Sequence, residues 1–308
     1  MDPSIGALWR GWRDVLSRLG FQTAALDAKL LAGHALGLDA LGLATREGDA
    51  VSDADAALVA ALMQRRMSGE SVGRIIGMRE FYGLPFALSP ATLEPRPDTE
   101  LLVDLALKQL PQGGHLLDLG TGSGCIPIAV LANRKDARGL ATDLNPDALA
   151  MARANAERNG VADRLDFAQG NWFEALAGEG AQQPMLFSPS PASAGGRVGV
   201  SEDAFDLILS NPPYIASSTV DTLSPEVKDF DPRLALDGGP DGLAPYRIIA
   251  AEAKAHLSPS GVVLVEIGYD QAGDVAALFE HHAFAGIAVH KDLNGLDRVI
   301  SAHHLKDK

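Results

Sequence analysis

Residues 115–130 read HLLDLGTGSGCIPIAV. A short apolar run of strand length meets glycines at alternate positions and then passes into a helix-like stretch. Gly120, Gly122 and Gly124 permit a tight turn and a close backbone approach to a ligand, and the following helix offers its N-terminal N–H groups. Dinucleotide-binding folds carry G-x-G-x-x-G, whereas the spacing here is G-x-G-x-G, which disfavours a nicotinamide or flavin enzyme. Strand, glycine turn and helix in this order open a parallel α/β sheet.

Further strand signals follow in 139–143 (GLATD), 165–170 (LDFAQG), 205–210 (FDLILS), 261–268 (GVVLVEIG), 286–292 (GIAVHKD) and 298–304 (RVISAHH). Helical stretches such as NPDALAMARANAERNG (145–160) and GLAPYRIIAAEAKAHL (242–257) lie between most of them. The last two strands are joined through LNGL (293–296), a turn signal, so the final strand is expected to return antiparallel. The predicted fold is a doubly wound, seven-stranded, mostly parallel sheet over 93–308.

Upstream, residues 1–72 read as a small helical bundle. Ile5, Leu8, Trp12, Leu16 and Leu19 recur at helical spacing before Gly20, and a later helix opens on Ser52 or Asp53 and ends at Gly69. Residues 73–92 are expected to form a β-hairpin linker, with strand-like runs on either side of YGLP (82–85). Pro97 or Asp98 then starts a helix. Residues 174–204, rich in Gly, Ser, Pro and Ala, break the α/β rhythm and read as a surface insertion.

The chain has 308 residues, 46% of them hydrophobic, enough for two cores. A formal net charge of −14 argues against stable binding to nucleic-acid phosphates. The single cysteine, Cys125, excludes an internal disulfide framework and fits a reducing compartment. The N-terminus lacks secretory-signal character, and no apolar run is long enough to span a bilayer. A cytoplasmic protein without membrane association is expected.

Two further features share the edge of the glycine loop. Asp143 ends the second strand, where an acid can accept both hydroxyls of a ribose, while Asn145 is read as the cap of the next helix. The fourth strand runs into NPPY, residues 211–214, within FDLILSNPPYI (205–215). Two prolines stop the ladder and hold the preceding residues extended, leaving a stiff corner with carbonyls, one carboxamide and one ring. Ligands of open α/β sheets bind at the carboxyl ends of strands, and all three features fall there.

The combination resembles the class I S-adenosylmethionine-dependent methyltransferases, among which NPPY is typical of those that methylate an amino group on a planar centre. More closely, the chain resembles the PrmC/HemK family, the N5-glutamine methyltransferases of peptide chain release factors. The likeness runs through PRPDTE, DLGTGSG, NPPYI, LALDGGPDGL with YRII, LVEIG and LNGLDR. It implies S-adenosylmethionine as cofactor, S-adenosylhomocysteine as product and release factors as protein partners recognised by the N-terminal helical domain. It also implies that Gly120, Thr121, Gly122, Ser123, Gly124, Asp143 and Trp172 bind the cofactor, with Asn211 close to it. Asn211, Pro212, Pro213 and Tyr214 would hold the substrate amide, with Asn211, Pro212 and Tyr214 carrying catalysis. This chain departs from the family pattern in the insertion, in Asn171 where an acid is usual, and in Asp231 where Glu-Pro is usual.

Other candidates are read structurally. Cys125 is expected in the core, and the adjacent pairs His281–His282 and His303–His304 lack the spacing of a catalytic zinc site. Asp118 would orient the cofactor's amino group or simply occupy a tight turn. Glu266 is read as a structural hydrogen-bonding group, and Arg96 and Thr99 either close over the cofactor or start a helix. Two competing functions are an adenine-N6 methyltransferase acting on a flipped base of DNA or RNA, and a cofactor-binding module without catalysis.

Overall fold

The computed structural model describes residues 3–176 and 204–304. The predicted insertion at 174–204 lies almost entirely outside the described residues. Among the described residues the chain divides into two compact units, Met1–Met78 with Ser224–Phe230, and Arg79–Leu223 with Asp231–Lys308.

The first unit is helical. Its main helices are Ile5–Arg18, Ala24–Leu36 and Asp53–Met67; the first and third are capped by serine, with Ser4 accepting the Ala7 N–H and Ser52 the Asp55 N–H, while Thr23 makes no side-chain cap bond to the second. Their apolar faces enclose Ile5, Trp9, Leu16, Leu31, Val59 and Met63. The expected stripe is corrected at two places. Trp9 is buried more deeply than Trp12, and Leu19, beyond the last helical turn, is 58% exposed. Inside this core, Arg66 Nε donates to Asp27 Oδ2 at 2.8 Å, and the guanidinium lies 4.3 Å from the centre of the Phe21 ring.

The hairpin starts later than 73. Val72–Ile76 is a short helix capped by Ser71 and closed at Gly77. A Ser cap and a left-handed glycine outweigh the strand preference of the two isoleucines. The strands are β1 (Met78–Phe81) and β2 (Leu84–Ala87). Tyr82 and Gly83 between them both have positive φ, the conformation that two-residue turns require.

The second unit holds β3 (His115–Leu119), β4 (Arg138–Asp143), β5 (Leu165–Gln169), β6 (Phe205–Ser210), β7 (Leu257–Glu266), β8 (Ala285–Lys291) and β9 (Asp297–His303). They form one seven-stranded sheet in the order β5-β4-β3-β6-β7-β9-β8. The first five are parallel, and β9 runs antiparallel to both of its neighbours. Successive residues of β3 feed opposite cores. Leu116 joins Leu102, Ile128 and Leu207 on one face; Leu117 joins Ile208, Tyr246 and Phe279 on the other. A sheet covered on both faces needs near-continuous apolar strands, which accounts for runs such as FDLILS and GVVLVEIG.

Breaking the Arg66–Asp27 pair from one side leaves a buried charge without its counterion. Asp27→Ala is expected to lower the unfolding free energy of the helical unit by about 3–5 kcal/mol. Urea titration followed by tryptophan fluorescence checks this, and an unchanged midpoint would exclude it.

Candidate active site

A cavity of about 420 Å³ opens at the carboxyl edge of the sheet. It is lined by Gly120, Thr121, Gly122 and Ser123 from the loop after β3, Asp143 at the end of β4, Trp172 after β5, and Asn211 and Pro213 after β6. The volume lies in the range of small-molecule sites. Of the residues assigned to cofactor and substrate in the sequence, Gly124, Pro212 and Tyr214 do not line it. A side chain at Gly124 would meet Ile128 Cδ1 at 2.8 Å and Ala152 Cβ at 3.1 Å, so this glycine lets the following helix pack closely.

The glycine loop is tied to β4. The Gly120 and Thr121 N–H groups both donate to the Thr142 carbonyl at 2.9 Å. Asp143 grips it from the other side, with Oδ2 accepting the Gly122 N–H at 2.8 Å and Oδ1 accepting the Asn145 N–H at 2.9 Å. Burial raises the Asp143 carboxyl, and these backbone donors oppose the rise. Asn145 caps the next helix by accepting the Asp147 N–H at 3.0 Å. Trp172 sits at φ +51°, a left-handed conformation that a bulky residue rarely adopts, and begins the 3₁₀ turn Trp172–Leu176. Its ring reaches within 4.0 Å of where a Cβ on Gly120 would lie.

Asp118 lies under the loop, fully buried, and burial pushes its carboxyl up to about 7; the facing Thr121 hydroxyl opposes the rise and Asp143 adds to it. Cys125 is buried too, and burial pushes its thiol up to about 12, the behaviour of a core residue rather than a nucleophile.

The NPPY corner is held from two directions. Ile215 pairs with Asp237 in an isolated parallel bridge, and the Gly238 N–H donates to the Ile215 carbonyl at 2.8 Å. Gln271 Nε2 donates to the Tyr214 carbonyl at 3.0 Å. The Tyr214 hydroxyl is pushed up to about 12 by burial. Asn211 Nδ2 donates at 3.3 Å to Oγ1 of Thr99, another residue of the cavity lining. The buried Glu266 at the end of β7 is pushed up to about 7 by burial, a rise that the polar side chains of Thr99 and Asn211 and the charge of Arg298 oppose.

Two contributors were named in the sequence without a role. The segment DGGPDG (237–242) packs against the corner so closely that a Cβ at Gly242 would lie 2.4 Å from the Tyr214 carbonyl oxygen, and one at Gly238 would lie 2.6 Å from that of Pro213. Glycine density was the available signal. Asp231, the shortened acid, is buried and reaches Arg96 at 2.6 Å; it fastens the segment from which Glu94 and Arg96 line the cavity.

Two predictions follow from this geometry. Gly242→Ala adds a methyl group against the Tyr214 carbonyl at a position with φ +74°, and is expected to displace the corner and slow turnover at least tenfold; steady-state rates check this. For Asp118, whose folded value lies above the ordinary carboxylate value of about 3.9, the folded chain retains a proton that the unfolded chain releases. Stability is therefore lost as pH rises from about 4 to about 7. Asp118→Asn has no such loss, so its Tm relative to wild type is expected to climb across that window; a constant difference would contradict it.

Comparison with known proteins places these features in a family. Residues 7–77 match the PrmC N-terminal domain, and residues 95–189 match the methyltransferase small domain. A release factor glutamine methyltransferase of Agrobacterium fabrum is 41% identical over 306 residues, covering 97% of each chain. Another, of Rhodospirillum rubrum, is 44% identical over 292 residues, covering 94% of this chain and 82% of that one. Among solved structures, the hMettl16 catalytic domain in complex with a MAT2A 3'UTR hairpin has the same fold, with a TM-score of 0.54 at 14% identity over 83% of this chain and 82% of that one. With that identity sustained along almost its whole length, the chain belongs to the family of release factor glutamine methyltransferases.

Proposed function

We propose that this chain transfers a methyl group from S-adenosylmethionine to the side-chain N5 of the glutamine in the Gly-Gly-Gln motif of peptide chain release factors. The observation that carries the reading is convergence: glycine loop, ribose-type acid, aromatic wall and NPPY asparagine line one cavity of a chain in this family. The helical unit is assigned to recognition of the protein substrate.

The residues present fit the cofactor. Asp143 is held by two backbone donors, and each carboxyl oxygen keeps acceptor capacity for a ribose hydroxyl. No atom lies within 4 Å of a Cβ built on Gly122, so the loop backbone can be approached closely. Gly120, Thr121, Gly122, Ser123 and Trp172 would complete the site, with Gly124 holding the loop's exit into the helix. Bound S-adenosylmethionine supplies a methyl group on a sulfonium centre, an electrophile that needs no further activation.

What remains for the protein is to aim a poor nucleophile. The lone pair of the glutamine amide nitrogen is delocalised into its carbonyl. As that nitrogen gains positive charge, its hydrogens become stronger donors. The acceptors assigned to them are the Asn211 side-chain oxygen, on the cavity wall, and the Pro212 carbonyl, next in the chain; such acceptors bind the transition state more tightly than the ground state. Pro212 and Pro213 keep the corner from relaxing into the ladder, and Tyr214, which does not line the cavity, anchors the corner through its carbonyl bond to Gln271. The nitrogen's proton turns acidic as the bond forms, so the reading assigns no side chain as general base. The net charge of −14 weighs against the alternative of a nucleic-acid adenine as substrate.

The test offers labelled S-adenosylmethionine with a purified release factor, with the same factor lacking its Gly-Gly-Gln glutamine, and with adenine-containing DNA and RNA. Label is expected on the intact factor alone; label on nucleic acid and none on the factor would overturn the substrate. Asn211→Ala is expected to lower kcat on the order of a hundredfold, with cofactor affinity changed less, measured by single-turnover transfer.

A further inference from the structure

Pro212 and Pro213 have no N–H to donate, so the corner that carries Asn211 has to be held through carbonyls and through its two ends. At the near end, the Ser210 hydroxyl donates to the Leu119 carbonyl at 2.8 Å. At the far end, the Tyr214 carbonyl accepts from Gln271 Nε2 at 3.0 Å. The prolines, and the extended geometry they impose on the residues before them, make the stretch between these points stiff. A shift at Tyr214 is therefore carried back to the Pro212 carbonyl and to Asn211.

Gln271 meets more than one carbonyl. Its Nε2 also donates to the Gly242 carbonyl at 3.3 Å, and its Oε1 accepts the Gly268 N–H at 2.9 Å. One carboxamide thus joins three loops at the carboxyl edge of the sheet: the corner after β6, DGGPDG (237–242) and the turn after β7. Backbone groups alone fix its orientation. A carbonyl only accepts and an N–H only donates, so the flipped amide would set oxygen against two oxygens and N–H against N–H. The fit is close, since a Cβ at Gly242 would lie 2.9 Å from Nε2 and one at Gly268 would lie 2.9 Å from Oε1. Tyr214, Leu243 and Ala272, one from each of the joined segments, pack against the same buried cluster.

The place of Gln271 in the chain points the same way. It is the N-cap of the helix Ala272–His281, a position where Ser, Thr, Asp or Asn would satisfy a helix N–H, and its side chain makes no cap bond. The helix forgoes that stabilisation while the carboxamide is committed to the loops. We propose that Gln271 is a positioning residue for methyl transfer, holding the NPPY corner so that the Asn211 oxygen and the Pro212 carbonyl face the substrate amide. The inference rests on the proposed function, because those are the acceptors it assigns. Gln271 is not part of the cavity lining and acts through the corner.

The test compares two variants in release factor methylation. Gln271→Met keeps the side-chain length and removes all three hydrogen bonds; Gln271→Glu, ionised, keeps the acceptor for Gly268 and removes both donations. Each is expected to lower kcat at least tenfold while the S-adenosylmethionine Kd stays within about threefold of wild type, because the hydrogen bonds of Gln271 reach neither the glycine loop nor Asp143. Rates are expressed per S-adenosylmethionine-binding site, which removes any unfolded fraction. In an Asn211→Ala background, Gln271→Met is expected to cost less than it does in the wild type, because part of what it positions is gone. A loss below tenfold in either variant, a Kd that weakens as far as kcat falls, or losses that multiply in full with Asn211→Ala would overturn the positioning role. Wild-type transfer is measured alongside: its absence refutes the substrate assignment, whereas any of those three results on an active wild type refutes this inference alone. Folding is checked by Tm, and Gln271→Glu carries the comparison and the double mutant if Gln271→Met does not fold.

Discussion

Leu119 is the register partner of Thr142 on one side and of Ser210 on the other, and the two pairings are parallel. That constraint brings the carboxyl ends of β3, β4 and β6 to a common edge within one residue of each other. Asp143 and Asn211 are the residues immediately after those partners. The Ser210 hydroxyl donates to the Leu119 carbonyl at 2.8 Å, and the Thr142 carbonyl takes two loop N–H groups, so the strand ends and the glycine turn move as one body. The cavity is the space that this register leaves above the sheet. A slip of one residue in either pairing would turn the apolar side chains to the wrong faces and carry the acid and the asparagine with them.

Asp118, Asp143, Asp231 and Glu266 are buried or half-buried carboxyl groups near this edge, and their surroundings differentiate them. Asp143 has backbone donors on both oxygens and lines the cavity. Asp231 is neutralised by Arg96 and fastens a cavity wall. Asp118 and Glu266 are dry, with burial the largest influence on each and both pushed up to about 7. Carboxyl groups thus serve as a brace for the glycine loop, a clamp on a cavity wall and two desolvated acids.

Much of this was legible in advance, for a reason that differs by element. The strand–glycine–helix order of 115–130, the Asn145 and Ser52 caps and the turn at Tyr82–Gly83 rest on contacts between residues a few positions apart, and such contacts follow from neighbouring side chains. The Trp12 and Leu19 positions were less reliable, because helical spacing names a face and only the packing partner selects which part of it is covered. The short helix at Val72–Ile76 shows a local signal outweighing another: serine and glycine at its two ends decide what Ile75 and Ile76 do between them.

By itself the sequence determined the α/β class, the antiparallel return after the LNGL turn, and the identity of the residues that end the strands, since each depends on short-range backbone chemistry. Only the tertiary structure decided that β9 lies between β7 and β8, that DGGPDG buttresses the NPPY corner, and that Thr99 accepts a hydrogen bond from the Asn211 carboxamide. These depend on contacts across large sequence separations: 112 residues for Thr99 with Asn211 and 135 for Arg96 with Asp231. No periodicity or spacing in a chain encodes such a pair, because the two residues become neighbours only once the sheet has brought its strand ends together.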